Sequence, residues 1–196
     1  TVAEMSRARS RPVPEPLPVA WERIESILHR VLKPGRYVGG EYNAVTTPWA
    51  HADVHICLAF PDVYDLGMSN FALTILYDVL NRETGVLAHR TYLPAPDMIA
   101  EMRAASIPLY ALESFAPVAC YEVLAVSTAY EYLYTNALEL MDLAGLPVRS
   151  LERAAVHAAQ RPMPLVIGGG HGAFNPEPIA DFFDAFVIGE AEESIV

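Results

Sequence analysis

The sequence is poor in cysteine, has no long apolar run and carries few basic residues beyond its first 36 positions. Its two cysteines, Cys57 and Cys120, are too few for a disulfide framework, and no C-x-x-C pair indicates a metal site. No stretch approaches the roughly 20 apolar residues of a membrane-spanning helix, and residues 1–19 lack the apolar core of a secretory leader. We therefore expect buried free thiols, no metal site, no membrane attachment and a cytoplasmic location.

Charge is distributed unevenly along the chain. The formal net charge is −11, yet residues 1–36 hold seven basic and four acidic residues, so the remainder is strongly acidic. Because attraction to phosphates dominates nucleic-acid binding, an acidic body is a poor surface for it. We expect no nucleic-acid contact from this chain.

Composition and periodicity divide the chain into three regions. Residues 1–20 carry alternate prolines from Pro12 to Pro18 and three arginines, a composition that predicts a disordered tail. Residues 21–50 are predicted to form one amphipathic helix, Trp21–Leu32, and a glycine-rich connector. Residues 51–196 are predicted to form one α/β domain of ordinary size.

Apolar, strand-like runs alternate with helical patterns from residue 53 onward. Strands that are apolar throughout predict a parallel sheet with helices on both faces, and about five of them favour a Rossmann-like, flavodoxin-like order 2-1-3-4-5. The predicted strands are Val54–Phe60, Val86–Leu93, Glu122–Ser127, Leu165–Ile167 and Phe186–Ile188, with a short extra strand at Leu109–Leu112. The predicted helices span 69–81, 97–105 and 131–144. We expect the first of them to be buried on most sides, because its polar stripe is narrow.

Polar residues and glycines follow four of the five main strands. The carboxyl ends of parallel strands meet at one edge of a sheet, where open α/β proteins bind ligands. Singly, each residue has a local explanation, such as a tight turn for a glycine or a helix cap for Ser69. Their coincidence at one edge favours a ligand site, whose predicted residues are Asp62, Tyr64, Gly67, Met68, Ser69, Ser127, Thr128, Gly168, Gly169, Gly170, His171, Gly189 and Glu190.

An alternative use of the glycines is dinucleotide binding. Gly168-x-Gly170-x-x-Ala173 matches the fingerprint G-x-G-x-x-G/A. That fingerprint follows the first strand and opens directly into a helix, whereas here it runs into the proline-containing segment 174–178. A dinucleotide-binding oxidoreductase is therefore the least favoured alternative. No nucleophile is placed beside Asp62 or Asp65, so we predict no catalytic residue in this chain.

Four segments resemble the amino-terminal part of a family of radical SAM proteins. They are Lys33-Pro34-Gly35-Arg36-Tyr37-x-Gly39-Gly40-Glu41-x-Asn43, Phe60-Pro61-Asp62-x-Tyr64-x-x-Gly67-Met68-Ser69, Phe174-Asn175-Pro176-Glu177-Pro178 and Asp181-Phe182-Phe183-Asp184-Ala185-Phe186-Val187-Ile188-Gly189-Glu190. In that family, a cobalamin-binding-like domain precedes the radical SAM domain. The resemblance implies a cobalamin-binding type of sheet, with the corrinoid lying along the edge described above.

The cobalamin motifs are altered in this sequence. Typical cobalamin domains supply the lower cobalt ligand from Asp-x-His-x-x-Gly, and a later Ser-x-Leu and a Gly-Gly pair accommodate the nucleotide tail. The corresponding positions here are Asp62-x-Tyr64-x-x-Gly67, Ser127-x-Ala129 and Gly168-Gly169. Since a neutral phenol is a far poorer ligand than imidazole, we expect any bound cobalamin to lack a histidine ligand from this loop.

Radical SAM chemistry requires a C-x-x-x-C-x-x-C loop that binds a [4Fe–4S] cluster and S-adenosylmethionine. Neither cysteine of this chain belongs to such a loop, so the resemblance assigns the cluster and S-adenosylmethionine to a downstream domain. We therefore expect an accessory domain whose partner is the radical SAM domain of its own polypeptide. The alternative is a degenerate module that binds substrate or a partner without any cofactor.

Overall fold

Five parallel strands form the sheet of the protein. The computed structural model describes residues 15–159, 162–189 and 191. The strands are β1 (Val54–Phe60), β2 (Val86–Tyr92), β3 (Val123–Ser127), β4 (Leu165–Gly169) and β5 (Ala185–Val187). They lie in the order β2-β1-β3-β4-β5, and every neighbouring pair is parallel. The predicted α/β fold with flavodoxin-like strand order is confirmed.

Helices connect the strands and lie around the sheet. In the described part of the chain the α-helices are α1 (Trp21–Leu28), α2 (Tyr64–Gly67), α3 (Phe71–Arg82), α4 (Pro96–Ala104), α5 (Tyr134–Leu143) and α6 (Ser150–Ala158). Short 3₁₀ turns span Pro34–Tyr37, Trp49–His51, Val118–Cys120, Glu131–Leu133, His171–Phe174 and Glu177–Phe182. Across the described residues, each helix is too short or too polar to span a bilayer. The central strand β1 is buried at every position after Val54, as expected for a strand covered on both faces.

Two predictions about individual elements are wrong, and one helix was not predicted. Helix α3 buries only one side, against β1 and β2, so Phe71 is 83% exposed and Ile75 is 44% exposed rather than buried. Residues 109–112 form no strand, because their pairing is limited to one antiparallel bridge between Tyr110 and Pro117. Helix α6 was not predicted, since its only buried residue is the charged Arg153 and it therefore shows no apolar stripe.

Side chains cover the free edge of β2, which lies at one end of the sheet. The Asn81 amide accepts from the N–H of Ala88 at 2.9 Å and donates to its carbonyl at 3.0 Å. The Glu113 carboxylate accepts from the backbone N–H of Arg90 at 2.7 Å and pairs with its side chain at 2.7 Å. These contacts satisfy backbone groups that would otherwise be open to another strand. The polar position Asn81 thus protects a sheet edge instead of facing solvent.

The segment before the sheet packs against the domain. Arg30 forms an ion pair with Glu101 of α4 at 2.7 Å, and the N–H of Leu32 donates to Asp97 at 2.7 Å. Trp49, in the connector, is buried. Residues 1–14 of the predicted tail lie outside the described part of the chain.

Candidate functional site

The loops that follow β1, β3, β4 and β5 lie at the carboxyl edge of the sheet, because all five strands are parallel. Two halves of this edge differ. The β1–β2 half consists of residues 62–69 together with Tyr92 at the end of β2. The β4–β5 half consists of residues 168–174 and 188–189. Glu190, which was predicted for the same edge, lies outside the described residues.

Tyr64 fills the β1–β2 half. It opens α2, and its hydroxyl donates a hydrogen bond to Glu41 of the connector. Its ring packs edge-on against the ring of Tyr92, with 5.5 Å between centroids. Burial, followed by the hydrogen bond and the charge of Glu41, raises the pKa of Tyr64 to about 12. The phenol therefore stays protonated at neutral pH and is already engaged on two sides.

The acidic residues of the same loop have structural partners. Asp62 Oδ1 accepts from the N–H of Val63 at 2.7 Å, which closes the turn before α2. Asp65 pairs with Arg36 at 2.5 Å and with Lys33 at 3.4 Å. Desolvation acts to raise the pKa of Asp65, but its own backbone N–H and these two cations lower it overall. Asp62 therefore stabilises its own turn, and Asp65 joins the connector to the loop.

Gly67 and Met68 are locked against Tyr92. A Cβ added to Gly67 would lie 2.2 Å from the Tyr92 ring, so only glycine fits at this position. The Tyr92 hydroxyl donates to the Met68 sulfur at 2.9 Å. Ser69 donates to the carbonyls of Asp65 and Leu66 at 2.9 and 3.0 Å, a local bond that ends α2. These contacts leave the β1–β2 half closed by its own side chains.

Hydrogen bonds tie the β3 loop to the β4 loop. The N–H and the hydroxyl of Thr128 both donate to the carbonyl of Gly169, at 2.6 and 3.0 Å. The N–H of Gly172 donates to the carbonyl of Thr128 at 2.7 Å. Ser127, the preceding residue, is only half-buried. Sequence analysis placed Ser127, Thr128 and the glycines at one edge, and the structure brings them together.

The glycines of the β4–β5 half have different surroundings. A Cβ on Gly168 would lie 2.8 Å from Phe186, so that position is filled by an aromatic side chain. A Cβ on Gly169 would meet no atom within 4 Å. Gly170 has a φ of +104°, which favours glycine. His171 and Gly189 are exposed, so this half presents a partly open surface.

The residues present do not fit a corrinoid bound through a lower ligand and a buried nucleotide tail. The position of the ligand histidine holds Tyr64, which is bonded to Glu41. The strand surface at Gly168 is covered by Phe186, and the loops of Thr128 and Gly169 are bonded to one another. In the described part of the chain, no group of three metal-binding side chains lies together.

The glycine run also lacks the context of a dinucleotide site. After Gly170 the chain forms a 3₁₀ turn, His171–Phe174, and then reaches Pro176 without starting an α-helix. The N-terminal helix dipole that would bind a pyrophosphate is therefore absent from this part of the described chain.

A set of exposed apolar side chains at the edge was not predicted from the sequence. Phe71 is 83% exposed, Tyr132 is 89% exposed and Phe174 is 66% exposed, while Leu66 and Ile188 are 50% and 59% exposed. We call these five residues the apolar rim. They follow the carboxyl ends of β1, β3, β4 and β5, the strands whose loops form the predicted site. The signal in the sequence was an apolar residue at loop ends, which we interpreted as helix core at Phe71.

The fold and these loops define an α/β domain in which the loops after four parallel strands meet at one edge of the sheet. Residues 72–196 match a protein-family model described as "Radical SAM proteins, N-terminal". Because this match covers more than half of the chain, the chain belongs to that family of N-terminal domains of radical SAM proteins. The match begins within α3 and does not include the loop 60–70. No curated protein and no solved structure matches the chain.

Proposed function

We propose that this chain is an accessory domain of a radical SAM enzyme and that its carboxyl sheet edge binds the radical SAM domain of the same polypeptide. The observation that carries the proposal is the apolar rim. Large exposed apolar surface on a domain marks a contact site, and aromatic residues with few charges are typical of the centre of an interface. The rim includes Phe71, Tyr132 and Phe174, each more than 60% exposed.

The energetics of the rim support a contact between domains. Burying one large apolar side chain stabilises a contact by about 1.5–3 kcal/mol. Two domains in one polypeptide meet at high effective concentration, so a few such contacts suffice to hold them together. In this proposal the radical SAM domain binds the [4Fe–4S] cluster and S-adenosylmethionine. The domain described here covers or shapes the site that holds the substrate.

The test uses the full-length enzyme with Phe71→Ser and Tyr132→Ser combined. Loss of the contact should increase proteolysis between the domains and raise the KM for substrate, with little change in the melting temperature of this domain. The matched control is Leu165→Thr, because Leu165 is also exposed but lies at the amino end of β4. The proposal would be contradicted if the rim variant and the control showed the same proteolysis between the domains and the same KM for substrate.

A corrinoid site is the second candidate function. The open space at Gly169 and the exposed His171 and Gly189 favour it. On the β4–β5 half, Gly169, Gly170, His171 and Gly189 would be the residues to hold the group, because the β1–β2 half is closed by its own side chains. A bound corrinoid would supply methyl-transfer chemistry. This chain's part would be to position the group without a histidine from the β1 loop, since Tyr64 is held by Glu41 and Tyr92.

The visible spectrum separates the two candidates. The chain is mixed with hydroxocobalamin, desalted and compared with Tyr64→His. If the edge serves only to bind the radical SAM domain, neither the unchanged chain nor the Tyr64→His variant retains corrinoid after desalting. Retention by the unchanged chain would favour the second candidate, and a further spectral shift in Tyr64→His would show that the loop lies under the cobalt.

We also propose that the domain works in a reducing, cytoplasmic compartment. Cys57 is buried and Cys120 is half-buried, and both are free. Burial raises the pKa of each thiol, which keeps both protonated and unreactive. Such thiols are typical of cytosolic proteins.

A further inference from the structure

A groove of about 580 Å³ lies beside β2. One wall is formed by residues 40–49 of the connector, and the other is formed by His89 and the loop 113–116. None of the residues that line it belongs to the apolar rim, so the groove is separate from the proposed docking edge. Its volume lies in the range of sites that bind a small molecule.

A hydrogen bond fixes the tautomer of His89. Its Nδ1 lies 2.7 Å from the Tyr121 hydroxyl, and both residues are buried. Burial raises the pKa of Tyr121 and lowers the pKa of His89 to about 4. At neutral pH the phenol is therefore the donor and Nδ1 is the acceptor, so the proton of the neutral imidazole is on Nε2.

The Nε2–H group of His89 opens into the groove. The hydrogen bonds of His89 to other described side chains all involve Nδ1. His89 is only 4% exposed, yet Nε2 is not among the fully buried atoms that lack a partner, which are Arg36 Nε and Trp49 Nε1. Nε2 therefore reaches accessible surface, and the space that His89 lines is the groove. A donor that is so largely desolvated gains from an acceptor supplied by a ligand.

Ser114 holds the imidazole in position. Its hydroxyl lies 3.2 Å from both His89 Nδ1 and the Tyr121 hydroxyl, and it accepts from the N–H of Ala116 at 3.2 Å. Because Tyr121 already donates to Nδ1, the proton of Ser114 is directed at the Tyr121 oxygen. The imidazole cannot turn without breaking these bonds, so its Nε2–H is preorganised for binding.

The charges around the groove select an uncharged acceptor. The lining contains carboxylates, and the described residues that form it include no lysine or arginine. The carboxylate of Glu113 is engaged by Arg90, and that of Glu41 accepts from Tyr64. An anion would meet carboxylates there without a compensating cation. A cation that carries no acceptor could not bond to the N–H of His89.

Tyr42 adds an aromatic surface to the groove. It belongs to the lining and is fully exposed, and exposed aromatic rings pack well against flat ligands. We propose that the groove binds a small uncharged ring compound whose carbonyl oxygen or ring nitrogen accepts from Nε2–H of His89 and whose face packs on Tyr42. Nucleobases and aromatic amides share this chemistry.

The experiment titrates the whole chain with adenosine and, separately, with nicotinamide, and follows the His89 Nε2–H group by NMR. At least one of these probes should shift the signal saturably below about 10 mM, the range expected for ligands of this size. Saturation by adenosine alone identifies a nucleobase as the occupant, and saturation by nicotinamide alone identifies an aromatic amide. Nicotinate, which replaces the amide with a carboxylate, should bind about tenfold more weakly than nicotinamide or not at all.

Matched variants locate the contact. His89→Asn keeps an acceptor for Tyr121 and removes the N–H in the groove, so the Kd of the bound probe, measured by ligand-observed NMR, should rise about tenfold. Tyr42→Ala changes an exposed side chain and should raise the Kd about fivefold. Tyr132→Ala, at the carboxyl edge, should leave the Kd unchanged.

The proposal is overturned if neither probe shifts the His89 signal. It is also overturned if nicotinate binds as tightly as nicotinamide, or if the probe binds His89→Asn and Tyr42→Ala as tightly as it binds the unchanged chain.

Discussion

The two halves of the carboxyl edge have the same origin in the fold but different packing. In the β1–β2 half, Tyr64, Gly67 and Met68 are packed around Tyr92, and the connector adds Glu41. In the β4–β5 half, Gly169 faces open space and His171 is exposed. A parallel sheet brings loops to one edge, but the side chains decide whether a loop forms a wall or a surface. In the β1–β2 half the side chains fill the space at the edge, whereas in the β4–β5 half no atom lies within 4 Å of a Cβ built on Gly169.

The largest effect is expected when Gly67→Ala in the closed half is compared with Gly169→Ala in the open half. The added Cβ at Gly67 would overlap the Tyr92 ring at 2.2 Å, and the ring cannot move without disturbing Tyr64 and Met68. We expect a loss of about 3 kcal/mol in the free energy of unfolding, measured by urea denaturation. Gly169→Ala should cost less than about 0.5 kcal/mol, because its Cβ meets nothing within 4 Å. Similar losses at both sites would show that the two halves do not differ in packing.

A second test uses a buried histidine in the middle of β2, the strand that ends at Tyr92. His89, on β2, lies next to the Tyr121 hydroxyl at 2.7 Å. Burial, and then the charges of His55 and Arg90, lower the pKa of His89 from 6.5 to about 4. The unfolded chain therefore takes up this proton at a higher pH than the folded chain does. The contribution of neutral His89 to the free energy of unfolding is therefore fully present above pH 6.5, and it is lost as the pH falls toward 4.

The size of this loss of stability follows from the lowered pKa of His89. Between pH 7.5 and 4.5, His89 should account for about 2.5 kcal/mol of the decrease in the free energy of unfolding. The variant His89→Asn keeps an acceptor for Tyr121 but cannot titrate, so its decrease over the same range should be smaller by that amount. Parallel pH profiles of the two proteins would mean that His89 is not kept neutral by burial.

Much of the fold could be predicted because strand periodicity and parallel topology are local signals. The runs at 56–60 and 123–126 are apolar throughout, so both the strands and their common edge were evident. The exposure of Phe71 could not be predicted, because it depends on which side of α3 the sheet leaves uncovered. Helix α6 was missed for a related reason, since the buried Arg153 bonds carbonyls and Asp184 instead of joining an apolar stripe.

The candidate site, like the fold, could be predicted from the sequence only in part. The coincidence of Tyr64, Thr128 and Gly169 at one edge follows from the strands alone. The closure of the β1–β2 half depends on Glu41 and Tyr92, which are 23 and 28 positions from Tyr64 in the sequence. Contacts over such separations have no signal in the local pattern.

The smallest expected effect concerns the hydroxyl of Tyr64. Tyr64→Phe keeps the ring against Tyr92 and removes only the hydrogen bond to Glu41, so the free energy of unfolding should fall by about 1 kcal/mol. The control on the open side is Tyr132→Phe, whose hydroxyl has no partner among the described residues and should change stability by less than about 0.5 kcal/mol. Calorimetric melting of the unchanged chain, Tyr64→Phe and Tyr132→Phe at one pH measures both changes in stability. If Tyr64→Phe matches the control, the connector does not depend on this bond, and the closed half is held by ring packing alone.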